Sequence, residues 1–393
     1  MSLTINSNVT SLTAQRNVNQ SSSALATSIQ RLSSGLRINS AKDDAAGLSI
    51  SERFTTTIRG LEVAARNAND AISLSQTAES ALGEIGNNLQ RVRELSVQAS
   101  NATYSQTDRN ALNAEVKQLV GEIDRVANQS NFNNIKLLDG SFKGASFQVG
   151  ANAGDVINVG AFVNAQSGNL GNAKFAAAQT TTAAVAAGAA TATGTISGLT
   201  VNGVTVDDIT VNVGDTGANV SGSIAAAINA KTDQTGVYAS LDATNKLTLT
   251  SVKADKDFSF AAGTVTGATG LTVATAGIGA TALASASTGK TLKDLDVSST
   301  TGAQQALSIV SSALDSVTAS RANMGAIQNR LASTITNIQS TSENLTSSRS
   351  RIQDADYAKE TASLARNQIL QQAGVAMLAQ ANTSGSAVLR LLS

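Results

Sequence analysis

The sequence predicts a mainly α-helical protein with a central β-rich insert. The N- and C-terminal helices are expected to pair in a coiled-coil, helical-bundle rod, and the insert to form an α+β outer domain. Three observations predict this. Apolar residues step by three and four through the first 140 or so positions. Val310, Val317, Met324, Leu331, Ile338, Leu345 and Ile352 fall seven apart without a break. Between these regions, from about 141 to 290, the chain turns to Gly, Thr, Ala and Val in short alternating runs.

Taken in order, Leu25, Ile29, Leu32 and Leu36 mark one face of a first helix. Ile50, Phe54, Ile58, Leu61, Ala65, Ala68 and Ile72 mark a second. Leu82, Ile85, Leu89 and Val92 either extend that helix or begin another. Polar residues from Ser100 to Thr107 read as a helix-helix turn, with Asp108 as the expected N-cap. Leu112, Val116, Leu119, Ile123 and Val126 then form a further run. These are narrow seams, the pattern of helices packed on helices.

In the insert, Gly194–Val213, Ser223–Asp233 and Gly236–Ser251 read as strand, strand, helix, strand, strand. Asn202-Gly203 and Thr244-Asn245 supply the hairpin turns. Residues 174–193 are low in complexity and read as a linker. The C-terminal heptad argues for one helix of about 50 residues, roughly 75 Å long, which needs the N-terminal helices as cover. Arg321, Gln328, Ser342 and Arg349 stand at second-seam positions. Such residues specify register at a cost in stability; here they fit either a partly solvated face or contacts with neighbouring subunits.

Composition narrows the function. With no Cys and no His there is no disulfide, no thiolate nucleophile, no Ser-His-Asp triad, no usual zinc site and no HExxH peptidase. Asp43 and Asp44 are adjacent, so they do not share a helix face; helix N-terminal charge accounts for them better than catalysis. Asp354 and Asp356 read as a polar helix junction. No enzyme activity, cofactor or metal site is expected. With 28 Lys+Arg against 28 Asp+Glu, no net field favours nucleic acid or an anionic membrane. The N-terminal segment has no basic and apolar signal regions, and no run of 18 apolar residues suggests a membrane span. With no Pro, no slow prolyl isomerisation limits folding.

Both ends carry longer motifs. RLSSGLRINSAKDDAAGLSI (Arg31 to Ile50), RNANDAI (Arg66 to Ile72), NLQRVREL (Asn88 to Leu95) and FQVGA (Phe147 to Ala151) lie in the first part. GAIQNRL (Gly325 to Leu331), SRSRIQDADYAKE (Ser348 to Glu360) and QILQQAGVAMLAQAN (Gln368 to Asn382) lie in the last. This pairing resembles the bacterial flagellins over roughly 1–155 and 291–393. The extreme end departs from the family pattern, because NTSGSAVLRLLS lacks the Pro often found before the last leucines.

The resemblance implies three layers: an inner-core helical domain (D0-like) from 1–43 and 350–393, a helical rod (D1-like) from 44–173 and 291–349, and an outer variable domain (D2-like) from 174–290. It implies a homopolymeric flagellar filament that is exported through the flagellar type III apparatus and stands outside the cell. Implied partners are an export chaperone, a cap protein, hook-associated proteins and host innate immune receptors. By the same resemblance, Gln90, Arg91, Leu95 and Glu115 are expected in receptor recognition. Leu25, Ile29, Leu32, Leu36, Leu370, Met377, Leu378, Val388, Leu389, Leu391 and Leu392 are expected to pack in the filament core. The outermost segments are expected to order on assembly, since helices without partners are marginal in water. A hook–filament junction protein is the alternative; the full NLQRVREL and QQAGVAMLAQAN runs favour flagellin. A coiled-coil adhesin would explain the heptads but not the paired end motifs.

Overall fold

A computed structural model describes residues 7–180, 189–242, 244–256, 259–261, 263–267 and 286–391. The helices are α1 (Val9–Ser34), α2 (Ala45–Ala99), α3 (Gln106–Gln129), α4 (Gly217–Asn229), α5 (Thr232–Thr235), α6 (Thr300–Gln353) and α7 (Tyr357–Leu391). The chain divides into two compact units, one made of Met1–Asn69, Phe147–Ile157 and Leu331–Ser393, the other of Asp70–Ser146 and Asn158–Arg330.

In the first unit, α1 and α7 run antiparallel. Asn8 donates to the Ala381 carbonyl at one end, Gln371 to Ser22 midway, and the Tyr357 hydroxyl to the Leu32 carbonyl at the other. The helices approach closely where Val18 meets Gly374: a Cβ there would stand 2.8 Å from Val18 Cγ2. The Asn8 side chain caps α1 at the Ser11 amide. Gly35 ends α1 in the left-handed region (φ 72°), where glycine carries no Cβ penalty.

The connections beyond α1 and before α7 hold each other. Arg37 N–H donates to the Gln353 carbonyl at 2.7 Å, and Ala355 N–H to the Gly35 carbonyl at 2.9 Å. The carboxylates foreseen here act as caps. Asp43 accepts from the Asn39 and Ser40 amides and the Ser40 hydroxyl. Asp44 accepts the Gly47 amide at the start of α2, and Asp356 those of Ala358 and Lys359 at the start of α7. Deeper in this unit, Leu61, Ala64 and Ile338 form a buried cluster, and Arg349 donates to Thr55 Oγ1 at 3.3 Å.

In the second unit, Leu82, Ile85, Leu89 and Val92 are fully buried on α2. They extend the preceding helix, giving 55 residues in all. Val116 and Ile123 on α3, with Val310, Val317 and Met324 on α6, are buried as well. The α6 helix spans 54 residues and takes in the whole heptad. Arg321 and Gln328 reach Glu79 of α2, the glutamine at 2.9 Å. With Arg349 on Thr55, three of the four polar seam residues are therefore engaged within the chain.

At the α2–α3 turn, Ser105 is the N-cap. Asp108 is its partner in a capping box, receiving the Ser105 amide and hydroxyl, and so is not itself the cap. The difference is one of position: the carboxylate sits three residues inside, where it returns a bond to the cap backbone.

The strands are β1 (Asn131–Phe132), β2 (Ile135–Lys136), β3 (Gly144–Gln148), β4 (Val156–Gly160), β5 (Ala173–Ala176), β6 (Gln179–Thr180), β7 (Gly194–Ser197), β8 (Thr200–Val201), β9 (Val204–Thr205), β10 (Ile209–Val211), β11 (Val237–Leu241), β12 (Leu247–Ser251), β13 (Phe260–Ala261), β14 (Thr264–Thr266) and β15 (Ala286–Lys290). Among the described residues the strand pairs are antiparallel, including β10–β7–β14, β11–β12–β6 and β13–β8–β9. Val201 pairs with Val204 across Asn202-Gly203, both at positive φ, as a two-residue type I′ turn requires.

Two expectations for the insert change. Part of the expected linker is strand: β5 pairs with β15, and Phe175 is buried. Alanine-rich composition concealed a strand that needs only one large apolar anchor. Residues 181–188 of the expected linker lie outside the described residues. The insert helix also begins earlier, at Gly217, where Thr216 caps the Asn219 amide.

Candidate assembly surface

Two helices packed only on each other can bury one stripe apiece. An apolar second stripe is then left for another partner. On α1 and α7 such uncovered apolar residues exist, spread over the flanks of the contact face. Val9, Leu12, Ile29, Ile369, Leu370, Val375 and Met377 are each at least half exposed, Ile369 at 66% and Met377 at 65%. Tyr357, also exposed, stands at the same helix pair with its hydroxyl tied to α1.

The expected core-packing residues divide accordingly. Leu25, Leu32, Leu36 and Leu378 are half-buried, whereas Ile29, Leu370 and Met377 face outward. Spacing at 25, 29, 32 and 36 grouped Ile29 with the buried stripe. The contact face instead passes through Ser28, the one fully buried residue on α1. Val388, Leu389 and Leu391 are described only as backbone of α7, and Leu392 lies outside the described residues. Sequence reasoning missed Val9, Leu12, Ile369 and Val375; their signal was an apolar residue off the first stripe.

A second surface lies where α2 faces α3. Arg91 donates through Nε and Nη2 to Glu115 Oε1 at 3.1 and 2.9 Å, and through Nη1 to Glu94 Oε2 at 3.0 Å. Glu94, followed by Glu115, pushes the Arg91 pKa upward, so the group stays a fixed cation. Arg91 and Glu115 are 51% and 44% exposed, and Gln90 is exposed beside them. Leu95 does not share this surface: it is 1% exposed and packs inward. Residues four apart on a helix are neighbours, but this seam runs between them. Glu94 was missed, although an acid three residues after an Arg is a standard helix pair.

Among the described residues, no helix is long and apolar enough to cross a membrane, and no group of three or more acidic side chains could hold a metal ion.

Comparison with known proteins completes the picture. Residues 5–143 match the profile described as the bacterial flagellin N-terminal helical region, and residues 307–392 the corresponding C-terminal helical region. Residues 198–253 match the flagellin hook IN motif. Flagellin B of Vibrio cholerae serotype O1 is 38% identical over 393 residues, and flagellin D of Vibrio anguillarum 40% identical over 398, each alignment covering 100% of both chains. Among solved structures, FliC from Burkholderia pseudomallei is 25% identical, covering 66% of this chain and 99% of that one at a TM-score of 0.39. With helical regions matched at both ends and relatives this similar along its whole length, the chain belongs to the flagellin family.

Proposed function

We propose that polymerisation here proceeds by burying the uncovered apolar residues of α1 and α7 against the same helices of other copies. A flagellin is a structural subunit of the flagellar filament, and such a polymer needs heterologous contacts that do not close. The observation that carries this reading is the set of large apolar residues left uncovered on α1 and α7. Its burial would be driven by the hydrophobic effect. The segments 1–43 and 350–393 are then the inner-core domain, 44–173 with 291–349 the rod, and 174–290 the outer domain. The antiparallel α1–α7 pair and the insert's own apolar cluster support that division. The inner-core segments order fully only when copies meet.

The chain acts without catalysis, is exported unfolded through the type III apparatus and works outside the cell. The lack of Cys and Pro supports this route, since neither disulfide exchange nor prolyl isomerisation delays folding at the tip. A chaperone, a cap protein and hook-associated proteins attend it on the way. The exposed Gln90, Arg91 and Glu115 form a face for innate immune receptors, with Leu95 holding the helix beneath them. The filament-subunit reading is preferred over a junction protein because the full-length relatives are flagellins.

The test is seeded assembly viewed by negative-stain electron microscopy. Long uniform filaments are expected from the full chain and none from a chain trimmed to 44–349. Monomers persisting under all seeding conditions would return the junction-protein reading.

A further inference from the structure

The β-rich insert is closed upon itself. Its buried apolar cluster runs from Ala176 to Phe260, with Val201, Ile228, Val237 and Leu249 at its centre. Its tie to the first turns of α6 includes a polar set of contacts beside the buried Val252 and Ile309. Gln305 is only 6% exposed. Its Nε2 donates to the Ser251 carbonyl at 2.8 Å, and its Oε1 accepts from Lys290 Nζ at 2.8 Å. One turn along the same face, Ser308 Oγ donates to the Val252 carbonyl at 3.0 Å.

Ser251 ends β12, and the chain after it is held in place by its own amides. Val252 N–H donates to the Gly236 carbonyl and Asp255 N–H to the Lys174 carbonyl. The α6 contacts therefore grip the insert by backbone at the end of its strand. Both ends of the buried Gln305 amide are engaged, and Lys290 fixes which end faces which partner.

We propose that Gln305, oriented by Lys290 and backed by Ser308, is a latch that fixes the β-rich insert to α6, so that the insert is carried rigidly by the helix instead of swinging from it. Packing at the junction, by Val252, Phe175 and the β5–β15 pair, resists separation but is not directional, so the paired hydrogen bonds of Gln305 are what select one orientation. In the polymer, the latch determines whether the outer surface is presented in one arrangement or many.

The decisive variant is Gln305→Glu in the full-length chain. It keeps the Lys290 contact and nearly the same helix propensity. It replaces the donor on Ser251 with an acceptor, so carboxylate and carbonyl oxygens face each other. Hydrogen exchange should show the Val252 and Asp255 amides opening about tenfold faster or more, as expected for a buried group left unpaired. The amides of Ala239, held by Asn229, and Val206, held by the Leu199 carbonyl, should stay within about twofold of the parent. Ser308→Ala should give a smaller effect of the same pattern. Unchanged exchange at Val252 and Asp255 would overturn the latch. Equal acceleration at Ala239 and Val206 would also overturn it, because Gln305 would then support the insert's fold and not its attachment.

Discussion

The buried stretch of α2 and the terminal helix α7 are both long, polar-rich helices, yet they meet water differently. Leu82, Ile85, Leu89 and Val92 follow one another at 0% exposure. Along α7, no described side chain is buried, and its large apolar residues Ile369, Leu370, Val375 and Met377 are at least half exposed. The first helix is finished within one chain. The second is left uncovered within one chain. The difference teaches that apolar content alone does not say whose core a residue belongs to; the number of partner helices at that level does.

The largest effect expected from this contrast is in the finished region. Ile85→Ala should lower unfolding free energy by about 2–5 kcal/mol, read as a fall in denaturant midpoint at unchanged slope. A loss below about 1 kcal/mol would mean that the site is not truly closed. Next comes the α1–α7 contact. Gly374→Val places side-chain atoms where Val18 Cγ2 already stands. Seeded elongation should stop while the thermal transition of the buried helices stays in place; normal elongation would show that the two helices can separate without harm.

Met377→Ser tests the uncovered residues themselves. Monomer stability should shift by no more than about 0.5 kcal/mol, as for an exposed position. Loss of about 1.5–3 kcal/mol of burial per contact in the polymer should raise the critical concentration by about tenfold or more. An unchanged critical concentration would place Met377 outside any interface.

Acid offers a subtler probe. Asp108 is held below the ordinary carboxylate pKa by the Ser105 hydroxyl first and then the Ser105 amide, and Asp43 likewise by Ser40 and Asn39. A folded pKa below the unfolded one means that the native state binds fewer protons. That stabilisation is complete above the unfolded value of about 3.9 and is lost as pH falls through the depressed folded value. Melting temperature should therefore drop below about pH 4, and Asp108→Asn should flatten part of the drop. The smallest effect belongs to Arg91→Ala. An ion pair this exposed is screened by solvent, so melting should barely move.

Much of this was legible in the chain, and the reasons are local. Val310 through Ile338 repeat at seven because one helix face lies on partner helices, and all five positions are buried. The Asn202-Gly203 turn was legible because positive φ at two successive residues selects those types. Leu95 was not legible, since spacing groups residues by helix face but cannot say where a neighbouring helix covers that face. Ile29 lies off the α1–α7 contact face, which spacing alone did not separate from Leu25 and Leu32. The strand at Ala173–Ala176 was hidden by composition, and the Gln305 contacts join residues 54 apart in sequence, beyond any periodic signal.

The antiparallel pairing of α1 with α7 has a temporal consequence. Asn8 is matched with Ala381, across 373 positions of chain. No contact of that span can form until nearly all of the chain is present, and pairing of such high sequence separation is intrinsically late. A chain broken off before Tyr357 would still carry α1 and most of the buried helices, but it would lack the second half of the paired surface. The surface proposed to join copies would thus also serve as a completeness check, admitting to the polymer only molecules delivered whole.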